Sequence, residues 1–216
     1  MTIMEVMEAR HSVRQYESKK IADEIRAELD ACCASINAES GMNIQIIYDE
    51  PRCFDSFMAH YGNFSGVENY ICVVGPKGKN LAEKAGYYGE QLVLKAQELG
   101  LNTCWVALTH GKTRSKVKRG EKEVIVIALG YGANQGRPHN NKDISELAAI
   151  SPDSPQWYKD GVKAAMLAPT AVNQQKFCIE QNGDLAVITA PKGMNTQIDL
   201  GIVKCHFEMA SGHKCK

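Results

Sequence analysis

Residues 69–76 read Asn69-Tyr70-Ile71-Cys72-Val73-Val74-Gly75-Pro76, an apolar run closed by a Gly-Pro pair. A run of this length, rich in β-branched and aromatic residues and bounded by turn formers, predicts a buried strand. A long helix follows it. From Ala82 to Leu99, the residues Ala85, Leu92, Ala96 and Leu99 face inward, and Gly100 stands where a left-handed cap is required. Upstream, Asn43 to Tyr48 alternates like a half-buried strand, and Ile21 to Ala34 places Ile21, Ile25, Leu29 and Cys32 or Cys33 on one helical face. Between them, residues 51–66 are irregular, with a short helix expected at Cys53 to Ala59. Downstream, Leu101 to Leu108 and Val124 to Leu129 are two further apolar segments of strand length.

The chain has 216 residues, 44% of them hydrophobic and 23% charged, the balance of a globular protein. At that length about 70% of the unfolded surface can be buried, so no disulfide or metal staple is needed. Lys and Arg total 25 and so do Asp and Glu. Zero net charge gives no whole-chain attraction to nucleic acid or to an anionic membrane. The apolar runs are too short to span a bilayer. Eight cysteines without a CxxC pair, several inside apolar runs, read as reduced thiols in a cytoplasmic protein.

A composition break at Ser151-Pro152-Asp153-Ser154-Pro155 divides the chain into residues 1–150 and a shorter half, 151–216. The second half repeats the element order of the first. Gln156 to Leu167 is a helix, Lys176 to Ile179 alternates, Asp184 to Thr189 is a strand, and Asp199 to Ala210 is a helix ended by Ser211-Gly212. Aligning the later helices sets Gly89 on Gly201 and Gly100 on Gly212. This is a tandem pseudo-repeat in topology, with little residue identity. A ligand site at the junction of two such halves is the natural expectation.

Two polar stretches carry candidate chemistry. Arg10, Ser12 and Arg14 are spaced alternately, on one side of an extended chain, and two guanidiniums with a hydroxyl can converge on a phosphate. Taken alone, the spacing favours a solvated polar loop whose charges meet nothing, and Arg10 to Tyr16 is too polar for a core. In Ala168-Pro169-Thr170-Ala171-Val172-Asn173-Gln174-Gln175, Pro169 stops a helix and small residues admit a flat ligand. The amides of Asn173 and Gln175 can donate and accept at the edge of a heterocycle. Gly130-Tyr131-Gly132-Ala133-Asn134-Gln135-Gly136 follows a strand, but its last glycine is one position late for a dinucleotide fingerprint and no apolar helix follows. Cys205, His206, His213 and Cys215 match no common zinc spacing. No metal ligands and no catalytic acid–base or nucleophile motif are assigned.

Together these stretches point to one family. Glu8-Ala9-Arg10-His11-Ser12-Val13-Arg14-Gln15-Tyr16 resembles the opening motif of the FMN-dependent nitroreductases. Gly86 to Leu92 and Leu99 to Trp105 are similar to that family's long core helix and the strand after it, and Gly130-Tyr131-Gly132 with Arg137-Pro138 to its closing segment. Residues 168–175 resemble its Ala-Pro-Ser-x-x-Asn-x-Gln motif. That motif stands here in the second half, as in the subgroup whose single chain imitates the family dimer.

The resemblance implies an α+β fold with a central antiparallel sheet flanked by helices. It implies FMN as cofactor, taking hydride at N5 from NADH or NADPH and passing reducing equivalents to a nitroaromatic, a quinone or a similar small acceptor. It further implies roles for single residues. Arg10, His11, Ser12 and Arg14, joined by Arg137, hold the phosphate and ribityl chain; Asn63 bonds the flavin edge; Trp105, Val106 and Ala107 form the loop beside N5; and Pro169, Thr170 and Asn173 close the site. A monomer acting as a pseudo-dimer, or a homodimer, is the implied assembly. The family's usual acidic residue or glycine is absent near Ala107 and Leu108. A flavin-binding module of carrier or regulatory use, with little turnover, is therefore the alternative, and a structural domain without cofactor the third reading.

Overall fold

The computed structural model describes residues 1–216. Its helices are α1 (Ile3–Ala9), α2 (Asp23–Ser40), α3 (Phe57–Tyr61), α4 (Leu81–Glu98), α5 (Ile144–Leu147), α6 (Gln156–Ala165) and α7 (Thr196–Ser211). Its strands are β1 (Gln45–Ile47), β2 (Asn69–Pro76), β3 (Asn102–Val106), β4 (Glu121–Gly130), β5 (Cys178–Asn182) and β6 (Leu185–Thr189). No helix is long and apolar enough to cross a membrane. Two compact units divide the chain, and neither is continuous. One comprises Met1–Ala9, Ala82–Gln91 and Pro138–Lys216; the other comprises Arg10–Leu81 and Leu92–Arg137. A cut at residue 150 does not coincide with this division, because α1 and the first half of α4 pack with α7.

In the unit built from residues 10–81 and 92–137, four antiparallel strands run in the order β1-β2-β4-β3. The decisive apolar run is the inner strand β2, buried from Asn69 to Gly75. Side chains alternate across a strand, so Tyr70, Cys72 and Val74 share one face with Cys104, Val106, Val126 and Ala128. Phe54, Phe64, Val67, Val13 and Tyr16 complete that cluster. Ile71, Val73, Ile127 and Leu129, fully buried, point to the opposite face. Helix α2 runs to Ser40 rather than Ala34, and Gly41 ends it in the left-handed region at φ 69°. Gly100, at φ 79°, does the same beyond α4, where a side chain would be strained.

Before β2, Arg26 grips Asp49 with both guanidinium nitrogens, at 2.6 and 2.7 Å, while lying 4.6 Å over the Tyr48 ring. That fork holds the Asp49 carboxyl below its ordinary range. A lowered folded-state value stabilises at pH above the unfolded value and is lost as pH falls through the folded one. Asp49 is half exposed, so Asp49→Asn is expected to cost only about 0.5–1 kcal/mol at pH 7, a difference that closes below roughly pH 4. Urea unfolding of both proteins at pH 7 and pH 3 checks this, and an equal gap at both values contradicts it.

In the other unit, α6 packs on α7 through Gly161, where an added methyl would lie 2.5 Å from the Phe207 ring. Tyr158 and Phe207 meet edge to face at 6.2 Å, and the Tyr158 hydroxyl donates to the Ile179 carbonyl at 3.0 Å. Strands β5 and β6 form a hairpin, to which the C-terminal residues add a parallel bridge at Ala186 and Cys215. The closest approach is between α4 and α7. A methyl on Gly86 would collide with the Ile198 carbonyl, and one on Gly201 with the Glu83 carbonyl. Beside this crossing, Lys204 pairs with Glu83 at 2.6 Å, and His206 Nε2 lies 2.9 Å from Glu90 Oε1, both residues fully buried.

Candidate functional site

The segment Arg10 to Tyr16 is more deeply embedded than its polarity predicts. Val13 and Tyr16 belong to the core, and Arg10 is only 3% exposed. The chain gains order by borrowing edges. Ser12 forms a parallel bridge with Thr103 of β3, and the Val13 N–H donates to the Thr103 carbonyl at 3.0 Å. Gln15 then bridges Ser65, and Tyr16 bridges Gly132. Each polar side chain is thus fixed by a backbone that three other segments hold in place.

Residues 132–137 return along the same segment. The Ala133 N–H donates to the Gln15 carbonyl at 2.9 Å, and Asn134 donates from its amide to Gln15 Oε1 at 3.1 Å. Gly136, at φ 71°, comes so close that a methyl there would lie 2.7 Å from His11 Cβ and 3.0 Å from the Ser12 carbonyl. Arg137 follows directly and is exposed. Residues 10–14 and Arg137 are therefore gathered from positions more than a hundred apart. The organiser of the returning segment is Asn102, buried in β3. Its Oδ1 accepts from the Gly132 N–H at 2.9 Å, and its amide donates to Gln135 Oε1 at 3.1 Å. Sequence reasoning missed Asn102, because its partners lie some thirty residues away and no local pattern names them.

Burial pushes the Cys104 thiol up, and Arg14, the Ser12 hydroxyl and Arg10 oppose that rise. The Arg14 guanidinium sits 5.9 Å over the Phe64 ring. Close by, the Tyr16 hydroxyl is buried without a hydrogen-bond partner; burial, then Cys104, push its pKa well above the usual phenol value, against the pull of Arg14. Guanidiniums, a hydroxyl and a glycine-shaped approach of backbone make a donor set suited to a phosphate or similar dianion.

Asn63 follows α3 in the left-handed region at φ 60°, and its carbonyl accepts from Gln15 Nε2 at 3.1 Å, which ties it to the same group. Trp105 and Val106 are not in a loop. They end β3, paired with Ile127 and Val126, and only Ala107 begins the exposed turn. The Val106 side chain is core. Because Thr103 bonds outward to Val13 and strand bonding alternates, the Trp105 backbone faces the same edge of the sheet.

Pro169, Thr170 and Asn173 belong to the other unit, in a loop held by its own side chains. The Gln175 N–H donates to Thr170 Oγ1 at 3.0 Å, and the buried Gln175 amide is used by Asn140, Asn173 and Lys142. Gln175 is thus a brace, not the ligand contact its amide suggested. Asn173 donates to the Asn140 carbonyl at 2.9 Å. Asp199 accepts from the Ala171 N–H at 3.0 Å and from Gln174 at 2.7 Å, and burial raises its pKa against both bonds. This network holds Val172, a β-branched residue 85% exposed, at φ 46°. Such backbone is costly for valine and persists only where its surroundings over-determine it.

A family model described as "Putative TM nitroreductase" matches residues 2–211. No curated protein matches the chain. Among solved structures, a putative nitroreductase from Thermotoga maritima is similar at TM-score 0.71 and 22% identity, over 97% of this chain and 83% of that one. A putative nitroreductase in complex with FMN, from Desulfovibrio desulfuricans, is similar at TM-score 0.53 and 18% identity, over 71% and 98%. An FMN-dependent nitroreductase from Clostridium difficile R20291 gives TM-score 0.51 and 16% identity, over 66% and 95%. At these identities the solved structures establish the shared α+β fold.

Proposed function

The chain belongs to the putative TM nitroreductase family, and from that premise we propose that it is an FMN-dependent oxidoreductase using NADH or NADPH to reduce a nitroaromatic, a quinone or a similar acceptor. One observation carries the reading. The closing segment packs tightly on His11 and Ser12 through Gly136, and Arg137 is the next residue after that contact, which supports its acting with Arg10, Ser12 and Arg14. The donor set fits the phosphate monoester of FMN: a guanidinium presents a rigid fork to its oxygens, and charge-assisted bonds are roughly twice as strong as neutral ones. The buried Tyr16 hydroxyl beside Arg14 adds a donor for a ligand oxygen or for a water bridging to it.

When bound, FMN supplies the two-electron chemistry, accepting hydride from the nicotinamide and releasing reducing equivalents to the acceptor. The protein's own groups bind and orient. Arg14 and Arg137 neutralise the phosphate from the solvent side, Ser12 donates to it, and Arg10 supports them from the interior. Asn63 would serve the polar edge of the ring, with the exposed turn that begins at Ala107 beside it. On this reading no acid–base residue is required.

The reciprocal approach of Gly86 and Gly201 supports the pseudo-repeat. Each glycine meets the carbonyl three residues before the other, the relation a two-fold axis produces. That pairs Gly86 with Gly201, three residues from the pairing of Gly89 with Gly201 that sequence alignment suggests. A chain that imitates a dimer in this way is expected to be monomeric by light scattering.

Anaerobic mixing of the FMN-loaded protein with NADH and with NADPH, followed at the flavin absorbance band, tests the function. Bleaching within a turnover and recovery on adding a quinone are expected. A yellow protein that does not bleach is a carrier module, and a colourless protein whose melting temperature FMN does not raise overturns the flavin reading.

A further inference from the structure

Phe57 and Tyr61 stand four residues apart on α3, so their rings lie on one face of the helix, 83% and 76% exposed. Leu108, 72% exposed, lies on the turn after β3. Two contacts join these segments. The Gly111 N–H donates to the Cys53 carbonyl at 2.6 Å, and Gly62 sits against Thr109, 2.6 Å from where its methyl would be. Arg52 and Lys112 adjoin the two members of the Cys53–Gly111 pair in sequence, one on each segment. Both cations are exposed and neither has an ion-pair partner. The acids of these segments are engaged: Asp55 lies 3.5 Å from His60, and Glu50 accepts from the Tyr70 hydroxyl at 3.0 Å and faces Arg114. Two exposed aromatic side chains, one exposed aliphatic side chain and two cations without ion-pair partners thus stand on two segments that are tied to each other.

We propose that this patch binds the electron acceptor and selects a planar aromatic carrying a negative charge, such as a sulfonated or carboxylated quinone or nitroaromatic. The inference rests on the flavin reading and deepens it. Leu108 directly follows Ala107, and Asn63 directly follows Gly62, so the patch is continuous with the residues assigned to the flavin edge. Aromatic faces take up a flat ring at little entropic cost, and unpaired cations attract an anionic substituent while remaining indifferent to a neutral one. For a quinone the overall step is NAD(P)H + H⁺ + quinone → NAD(P)⁺ + hydroquinone. The acceptor gains two electrons and two protons, and the nicotinamide loses a hydride.

The test uses the FMN-loaded protein with 1,2-naphthoquinone-4-sulfonate against 1,2-naphthoquinone, and calorimetric binding of naphthalene-2-sulfonate against 2-naphthol. In Arg52→Ala/Lys112→Ala the preference for the sulfonated compound, in KM and in affinity, is expected to fall roughly 3- to 10-fold, with flavin content unchanged. Phe57→Ser/Tyr61→Ser should weaken both compounds of each pair. A sulfonate preference that survives in Arg52→Ala/Lys112→Ala overturns the proposal. Binding of naphthalene-2-sulfonate needs no flavin turnover, so its loss in the variant separates this inference from a failure of the flavin reading, in which the wild-type protein would take up no FMN.

Discussion

His206→Leu is expected to lower the stability of the protein by about 3–5 kcal/mol, the range for removing one member of a buried charged pair. His206 and Glu90 are both fully buried, joined at 2.9 Å between Nε2 and Oε1. Nδ1 lies 3.1 Å from the Ala164 carbonyl, which can only accept, so Nδ1 carries a proton. Leucine leaves the buried Glu90 carboxyl without the imidazole, and strands the last turn of α6 without its donor. Urea unfolding at pH 7 gives the loss directly. In Glu90→Met/His206→Leu both polar groups go and the space is filled, so at least ~1 kcal/mol should return. A single variant as stable as wild type, or a double variant no better than the single, shows that the pair is not what clamps α4 to α7.

The pair also marks where sequence reading stops. Strands β2 and β4 and helix α4 could be read locally, because a run of apolar residues, its period and a closing glycine all lie within twenty positions. Gly100 at φ 79° is the clearest case, since its role depends only on the helix before it. The opening motif was legible as chemistry but not as structure. Arg10 reads as solvated, yet it is buried, because the residues just after it, Ser12 and Val13, pair with an edge of β3 that no local pattern announces. Asn102 and His206 fall outside local reading for the same reason. Each is a polar residue inside an apolar element, and its partner lies thirty or more residues away. Gln175 shows the converse error. Its amide suits a heterocycle in isolation, and the fold has already spent it on Asn140, Asn173 and Lys142.

Arg14→Ala should weaken FMN binding by about 1.5–3 kcal/mol, some 10- to 150-fold, the range for one hydrogen bond to a charged group. Arg14 is the better arginine to remove, because it is exposed while Arg10 is buried. Its guanidinium lies 5.9 Å over the Phe64 ring, a cation–π pair of little consequence at an exposed site. Apo-protein stability should therefore change little, and a lost affinity cannot be blamed on unfolding. Arg14→Lys keeps the charge but not the two-pronged geometry, so its affinity should fall between those of Arg14→Ala and wild type. Quenching of FMN fluorescence on titration into apo-protein measures all three. Raising the salt concentration should weaken wild type more than Arg14→Ala, since part of the lost contact is coulombic and screened. If Arg14→Ala binds FMN as tightly as wild type at low salt, the phosphate does not lie at residues 10–14, and the assignment of Arg137 to the same anion falls with it.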